Sequence, residues 1–220
     1  MKIAVITANY GGIDQVHEIV PQNVPFDRFY YTEANSPFPM HTIDNRLKAK
    51  VPKIIPHLIP ELSEYDIFVW VDANVNIKSI DFLRKLITPV IHGASISISA
   101  HPVRKSIYEE AQFIINQVNS DQRYLTARYT ADSIAKEIKH IGPGYEKSGL
   151  YYCGIFATKN NRHINNMREN WYLDNILFTN FDQLNFVSNV RAHNIKLATV
   201  EFGDFYHNEY YSLTKHLKVA

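Results

Sequence analysis

Short apolar runs alternate with helical stripes along the chain, and this pattern predicts an α/β fold. Apolar runs without polar alternation are typical of strands buried on both faces, whereas Ile alternating with Ser at 94–100 predicts a half-buried strand. The predicted strands lie at residues 2–7, 26–32, 65–71, 94–100, 150–158 and 196–201.

The segments between these runs carry helical signals. Pro52 and Pro56 divide the first helical segment, and Ser106 with Glu109 matches a helix-capping pattern. Helices are predicted at residues 46–58, 81–87, 106–118, 121–138, along the stripe of Ile164, Met167 and Trp171, and at 182–192. Strands separated by helices favour a mostly parallel central sheet with helices on both faces, in a single domain spanning residues 1–220.

Composition narrows the class of protein. Among 220 residues, 23 are Lys or Arg and 22 are Asp or Glu, a balance that argues against a strongly basic nucleic-acid groove. Cys153 is the single cysteine, which excludes an intrachain disulfide and predicts a small core residue. With no apolar stretch of targeting or membrane-spanning length, we expect no membrane span and a cytoplasmic location.

The loops that follow the strands are the candidate functional segments, because ligands of such sheets lie beyond the carboxyl ends of the strands. The buried run at 65–71 delivers Asp72 to such a loop, and Asn74 follows two residues later. Oxygen-bearing side chains at this spacing can share Mn²⁺ or Mg²⁺, which would neutralise a diphosphate leaving group. The alternative is a turn in which Asp72 bonds only to its own backbone.

The loop after the first strand suits a nucleotide. Thr7 and Asn9 are polar, Tyr10 can stack on a base, and Gly11 and Gly12 allow close backbone approach. A purely structural turn explains the same residues. No phosphate-binding lysine motif follows the glycines.

Basic residues precede the Asp72 strand. We expect Arg46 and Lys50 to contact phosphates, and Lys48 and Lys53 to lie on a solvated helix face. His101 and Arg104 follow the 94–100 strand, where they would reach the same rim; His101 as a polar residue at a strand end is the alternative.

Three later residues complete the candidate set. Asp182 and Gln183 open a helix, and they are expected either to meet a substrate hydroxyl or, for Asp182, to cap the helix. His207 follows the last strand and can return to the cation as a neutral imidazole ligand, although most histidines are structural.

In this order, the motifs resemble nucleotide-sugar glycosyltransferases of the GT-A type. Within that type they are most similar to the hexosyltransferase-like family known from plant cell-wall and mucilage proteins, with bacterial and viral relatives. The stretches that carry the resemblance are ITANYGGID, VPFDRFYYTE, KVPKIIPHLIPELSEYDIFVWVDANVNI, HPVRKSIYEEA and NWYLDNILFTNFDQLNF.

The resemblance implies a Rossmann-like fold with a nucleotide-binding half at about 1–104 and an acceptor half at about 105–220. It implies that Asp72, Asn74 and His207 hold a divalent cation on the diphosphate of a nucleoside diphosphate sugar. Asp182 and Gln183 would lie beside the sugar and the acceptor, with Asp182 as a base if unpaired, in a reaction that retains anomeric configuration. Asn74 replaces the second acidic residue of the family pattern, so a metal-free variant using Arg46 and Lys50 remains an alternative.

The expected reaction is transfer of a hexose to a hydroxyl of a glycan or another acceptor. Two other functions are compatible with the same residues. One is transfer to a modified base in DNA, as in some viral enzymes. The other is a catalytically silent module that binds nucleotide sugars, for which Asn74 is the best support.

Overall fold

A six-stranded sheet forms the centre of the computed structural model, which describes residues 1–39, 44–120 and 129–217. Its strands are β1 (Ile3–Ala8), β2 (Asp27–Tyr31), β3 (Ile67–Val71), β5 (Ile96–Ala100), β6 (Tyr151–Lys159) and β7 (Leu197–Thr199), in the order β2-β1-β3-β6-β5-β7. Two short strands, β4 (Val75–Ile77) and β8 (Tyr211–Leu213), pair with each other in an antiparallel ribbon. Five strands of the main sheet run in one direction and β6 runs against them.

Helices cover both faces of this sheet, which confirms the predicted α/β class. They are α1 (Asn45–Ile54), α2 (Phe82–Ile91), α3 (Ile107–Asn119), α4 (Ala131–Ile141), α5 (Arg162–Leu177) and α6 (Asp182–Ala192). Within the described part of the chain, no helix is both long and apolar enough to cross a bilayer.

The two hydrophobic cores meet at β3, whose five residues are all buried. Phe68 and Trp70 belong to the core shared with α1, α3, α4, α5 and α6, whereas Ile67, Val69 and Val71 belong to the core under α2. Alternate side chains of a strand point to opposite faces, so a strand between two helical layers is apolar at every position. The unbroken apolar run therefore identified the central strand correctly.

The direction of β6 was not anticipated from the sequence. This strand lies between β3 and β5 and is antiparallel to both, so the proposed halves at 1–104 and 105–220 share one sheet. Ser97 also departs from the half-buried prediction because β5 is itself covered on both faces and Ser97 is fully buried. The ribbon of β4 and β8 was not predicted, since strands of three residues leave too short a pattern.

The predicted helix at 121–138 is only partly testable, because residues 121–128 lie outside the described residues. Its described part, α4, begins after Thr130 and ends at Ile141. The Thr130 side chain accepts a hydrogen bond from the Ser133 backbone N–H, and the Ser133 hydroxyl accepts from Thr130 N. This reciprocal cap fixes the start of the helix.

Candidate active site

A cleft opens at the carboxyl ends of β1 and β3, where the strand-end loops were expected to meet. It consists of two adjoining cavities of about 410 and 300 Å³. Both are lined by Asp14 after β1, Arg46 on α1, and Asp72 and Asn74 after β3. We call these two cavities together the central cleft.

Asp72 stands at the end of β3 with one carboxylate oxygen committed to the protein. Its Oδ1 accepts a hydrogen bond from Trp70 Nε1 at 2.6 Å and lies 3.4 Å from Lys53 Nζ. Its backbone N–H donates to the Gly154 carbonyl, and its own carbonyl accepts from Val75 N–H, which closes a turn. The Asp72 side chain is 35% exposed, so the carboxylate is anchored on one side and accessible to a ligand on the other.

Two lysines of α1 and Asp182 at the start of α6 form the floor of the cleft. Lys50 Nζ and Lys53 Nζ lie 2.7 and 2.6 Å from Asp182 Oδ2, and all three residues are buried. Burial alone would raise the pKa of Asp182, but the two ammonium groups outweigh it and hold that pKa at about 2. We call Lys50, Lys53, Asp72 and Asp182 the charged floor.

The charged floor corrects two expectations. Lys53 is not on a solvated face: it bridges both carboxylates, and burial, which would lower its pKa, is outweighed by Asp182 and Asp72, which raise it. Asp182 is not unpaired, so it lacks the property that a general base requires. It does not cap α6 through its side chain either. The spacing of three residues between Lys50 and Lys53 was the available signal, because such residues share one face of a helix.

The C-terminal segment supplies a histidine to the cleft, but not the predicted one. Thr214 N–H donates to the Asn74 carbonyl, and Leu217 N–H donates to the Ile13 carbonyl, so this segment crosses between the two loops. His216 lies between these contacts, lines both cavities, and places Nδ1 2.5 Å from Asp14 Oδ1.

His207, the histidine predicted as a metal ligand, is not among the described residues that line the cleft. It forms a β-bridge with Ser212 and places Nε2 3.5 Å from Lys78 Nζ. A lysine therefore lies beside the ring, and His216, not His207, is the histidine that lines the cleft with Asp72 and Asn74.

The loop after β1 lines the cleft as predicted, although several of its side chains are used to hold the loop itself. Asn9 Nδ2 donates to the Asp14 carbonyl at 2.8 Å, and Asn9 Oδ1 accepts from Asp14 N–H at 3.1 Å. Tyr10 is buried, with its hydroxyl 3.1 Å from Ser36 Oγ, and burial raises its pKa. Gly11 has φ +80°, and a Cβ there would lie 2.5 Å from Asn45 Nδ2, which explains the glycine.

Two further predicted residues, Gln183 and Thr7, differ in position. Gln183 lines the cleft beside Asp182 and donates from Nε2 to the Tyr151 carbonyl at 3.1 Å. Thr7 is buried and is not among the described residues lining the cleft.

His101 and Arg104 form a separate cluster between β5 and α3. His101 Nδ1 accepts the backbone N–H groups of Val103 and Arg104, and burial together with Arg104 lowers its pKa to about 4. Arg104 pairs with Glu110 and lies over the Phe113 ring. Neither is among the described residues lining the cleft, so the expected rim contact with a phosphate is not supported.

The donor set decides what kind of cation fits. Among the described residues there is no group of three His, Cys, Asp or Glu side chains arranged to hold a metal ion. Asp72 and Asn74 supply one carboxylate and one amide oxygen to the cleft. Mg²⁺ is commonly held by one or two carboxylates together with substrate phosphates. These residues therefore fit a cation that a bound diphosphate helps to hold.

Comparison with known proteins gives one family match. A family model described as "TOD1/MUCI70, glycosyltransferase-like domain" matches residues 35–218, which include the charged floor and His216. No curated protein matches the chain. A solved structure titled "Crystal Structure of A197 from STIV" is similar at 10% identity and a TM-score of 0.39, over 91% of this chain and 82% of that one. The family match thus covers most of the residues that line the cleft.

Proposed function

The chain belongs to the TOD1/MUCI70 glycosyltransferase-like domain family, and on that premise we propose that it transfers a sugar, a hexose by our expectation, from a nucleoside diphosphate sugar to an acceptor hydroxyl. The observation that carries the proposal is the charged floor: the carboxylate of Asp72 reaches an open cleft at a strand end and is held there by Trp70 and Lys53. A nucleoside would enter beside Asn9 and Tyr10, which line the same cleft.

Charge balance within the floor supports assistance by a divalent cation. Lys50 and Lys53 are matched by Asp182 and Asp72, so the floor has no cationic surplus for a diphosphate. Arg46 lines the cleft and adds one cation. We propose that Asp72, Asn74 and His216 hold Mn²⁺ or Mg²⁺ together with the diphosphate, where the ion would stabilise the leaving group. The pairing of Lys50 with Asp182 argues against the metal-free variant.

Asp182 and Gln183 are proposed to orient the donor sugar and the acceptor. A carboxylate with a pKa of about 2 does not take a proton at neutral pH, so Asp182 acts as a fixed charge rather than as a base. In the proposed reaction, the bond from the sugar C1 to the diphosphate oxygen breaks and a bond from C1 to the acceptor oxygen forms. The acceptor proton passes to the departing diphosphate, which in a retaining reaction leaves from the same face.

The role of Asp72 is tested by replacing each of the two aspartates that flank β3 with asparagine, one at a time. Asp72→Asn is expected to lower kcat/KM for sugar transfer at least a hundredfold in assays with a panel of nucleotide sugars, because it removes the anionic anchor for the cation. Asp66→Asn is the matched control, since Asp66 precedes β3, is largely exposed and bonds to the chain terminus. Equal activity of the two variants would remove Asp72 from the mechanism. Tight donor binding without turnover in the wild type would instead favour the silent module.

Binding of the proposed cation is tested by replacing His216 and His207, the two histidines nearest the C-terminus. Mn²⁺ is expected to bind at least tenfold more tightly in the presence of UDP or GDP than alone, measured by titration calorimetry. His216→Ala should weaken that nucleotide-dependent binding about tenfold, whereas His207→Ala should leave it unchanged. Tight Mn²⁺ binding without nucleotide would contradict the shared site, and a larger effect of His207→Ala would restore the original assignment.

A further inference from the structure

A further cavity of about 470 Å³, which we call the side cavity, adjoins the central cleft. It lies among the start of α1, the start of α4 and the end of α5, and it shares Tyr129 and Asn180 with the cleft. Asn180 is two residues before Asp182, so a molecule in this side cavity would lie next to the charged floor. A volume of this size is within the range of small-molecule sites.

The side cavity differs from the cleft in its charge. Its described lining has one charged side chain, the carboxylate of Asp44, and contains no lysine or arginine. The other polar side chains are hydroxyls and amides, from Thr130, Ser133, Thr179, Asn175 and Asn180. Tyr129 and Phe178 add aromatic surface, which is accompanied by aliphatic surface. Among the described lining residues a phosphodiester chain would meet a carboxylate and no lysine or arginine, which disfavours nucleic acid. A sugar ring presents many hydroxyls and an apolar face, and matches this lining.

Two amide oxygens in the wall of the side cavity lack hydrogen-bond donors. Oδ1 of Asn175 and Oδ1 of Asn180 are both buried and accept no hydrogen bond from the described residues. Asn175 is 2% exposed, and its Nδ2 donates to the Trp171 carbonyl at 2.8 Å and to Asn185 Oδ1 at 3.2 Å, which fixes the orientation of its amide. Asn180 Nδ2 donates to Asp44 Oδ2 at 3.0 Å. Unsatisfied buried acceptors are costly, and a small side-chain shift that opens these oxygens to the cavity would let hydroxyl groups supply the missing donors.

We propose that the side cavity binds the acceptor as an uncharged saccharide, an inference that rests on the proposed transferase function. The acceptor hydroxyl reaches the donor sugar past Asn180, beside Asp182 and Gln183. This assignment selects a glycan acceptor over modified DNA.

The test blocks the cavity from its rim with an exposed residue. Ile176 lines the side cavity and Leu173, one turn earlier on α5, does not; both are exposed. Ile176→Trp is expected to raise the KM for the best neutral disaccharide acceptor at least tenfold, with maltose, lactose, mannobiose and xylobiose as probes. The loss should fall on the acceptor KM and not on the donor KM. Leu173→Trp is the matched control and should change neither KM.

Equal acceptor KM values for the two tryptophan variants would overturn the proposal, as would transfer to hydroxymethylated DNA in preference to every saccharide. Failure of the transferase function is distinguishable, since the wild type would then turn over no nucleotide sugar, whether or not it binds one. In that case, ligand-observed NMR titration with the same disaccharides tests whether the side cavity binds a saccharide. Binding that Ile176→Trp abolishes and Leu173→Trp retains would support a saccharide site. Absence of binding by the wild type at millimolar disaccharide would overturn it.

Discussion

Two buried carboxylates near the candidate site have opposite electrostatic environments. Asp182 contacts two ammonium groups, and its pKa is held at about 2. Glu137 on α4 is fully buried with no cation beside it among the described residues, and its carboxyl accepts hydrogen bonds from the Thr179 hydroxyl and Asn185 Nδ2. Burial, reinforced by the charges of Asp174 and Asp182 and only partly offset by Thr179, raises the pKa of Glu137 to about 8.

The difference teaches that burial alone does not determine the charge of a side chain. A desolvated carboxyl stays ionised when opposite charges touch it and keeps its proton when only neutral donors do. Asp182 and Asn185 both belong to α6 and lie three residues apart, so one face of this helix contacts the charged floor and, one turn later, a neutral polar network. The balanced charges of the cleft agree with the proposed cation and diphosphate, and the neutral polar groups agree with the proposed saccharide in the side cavity.

The largest effect is expected from breaking the charged floor. Lys53→Met should lower the free energy of unfolding by about 4 kcal/mol, because it removes one of the two cations of buried Asp182 and the ammonium group that also pairs with Asp72. Lys48→Met on the same helix is the control and should change it by less than about 0.5 kcal/mol, since Lys48 is only half-buried and its ammonium group donates to Asn45 Oδ1. Urea unfolding measures both, and similar losses in the two variants would show that the ion pairs do not stabilise the floor.

An effect of intermediate size on stability is expected from the raised pKa of Glu137. Folded Glu137 keeps its proton up to about pH 8, whereas in the unfolded chain it loses the proton near its ordinary value of 4.5. The folded state therefore binds more protons in this window, and stability falls as pH rises, by roughly 2 kcal/mol between pH 6 and 8. In Glu137→Gln this decline should vanish, because the amide has no ionisable proton, while its oxygen can still accept from the Thr179 hydroxyl. A decline that persists in the variant would assign it to another group.

The smallest effect is expected from a single neutral partner of that carboxyl. Thr179→Val removes the hydroxyl that donates to Glu137 and should lower the free energy of unfolding by about 1 kcal/mol. Since this hydrogen bond lowers the pKa of Glu137, its loss should move the upper end of the pH-dependent decline above about pH 8. An unchanged or lower upper end would show that Thr179 does not bond to the ionised form.

The sequence predicted those parts of the site that depend on local pattern. The apolar run before Asp72 identified the buried central strand, and the helix starting at Asp182 was predicted with its observed bounds. Lys53 was misassigned, because its neighbours in sequence do not reveal that α1 turns this face toward α6. His207 was predicted and His216 was missed, because a histidine near the C-terminus carries no local signal of which loops its segment crosses.

Sequence alone determined the layered α/β architecture, the central strand and the loop that carries Asp72, since apolar periodicity reports the faces each element must bury. Tertiary structure decided the reversed direction of β6 and the pairing of both lysines with Asp182. It also decided the position of His216 beside Asp14 and the raised pKa of Glu137. Each of these depends on contacts between residues far apart in the chain. Charge and hydrogen bonding act over a few ångströms of space, and only the folded chain brings such groups that close.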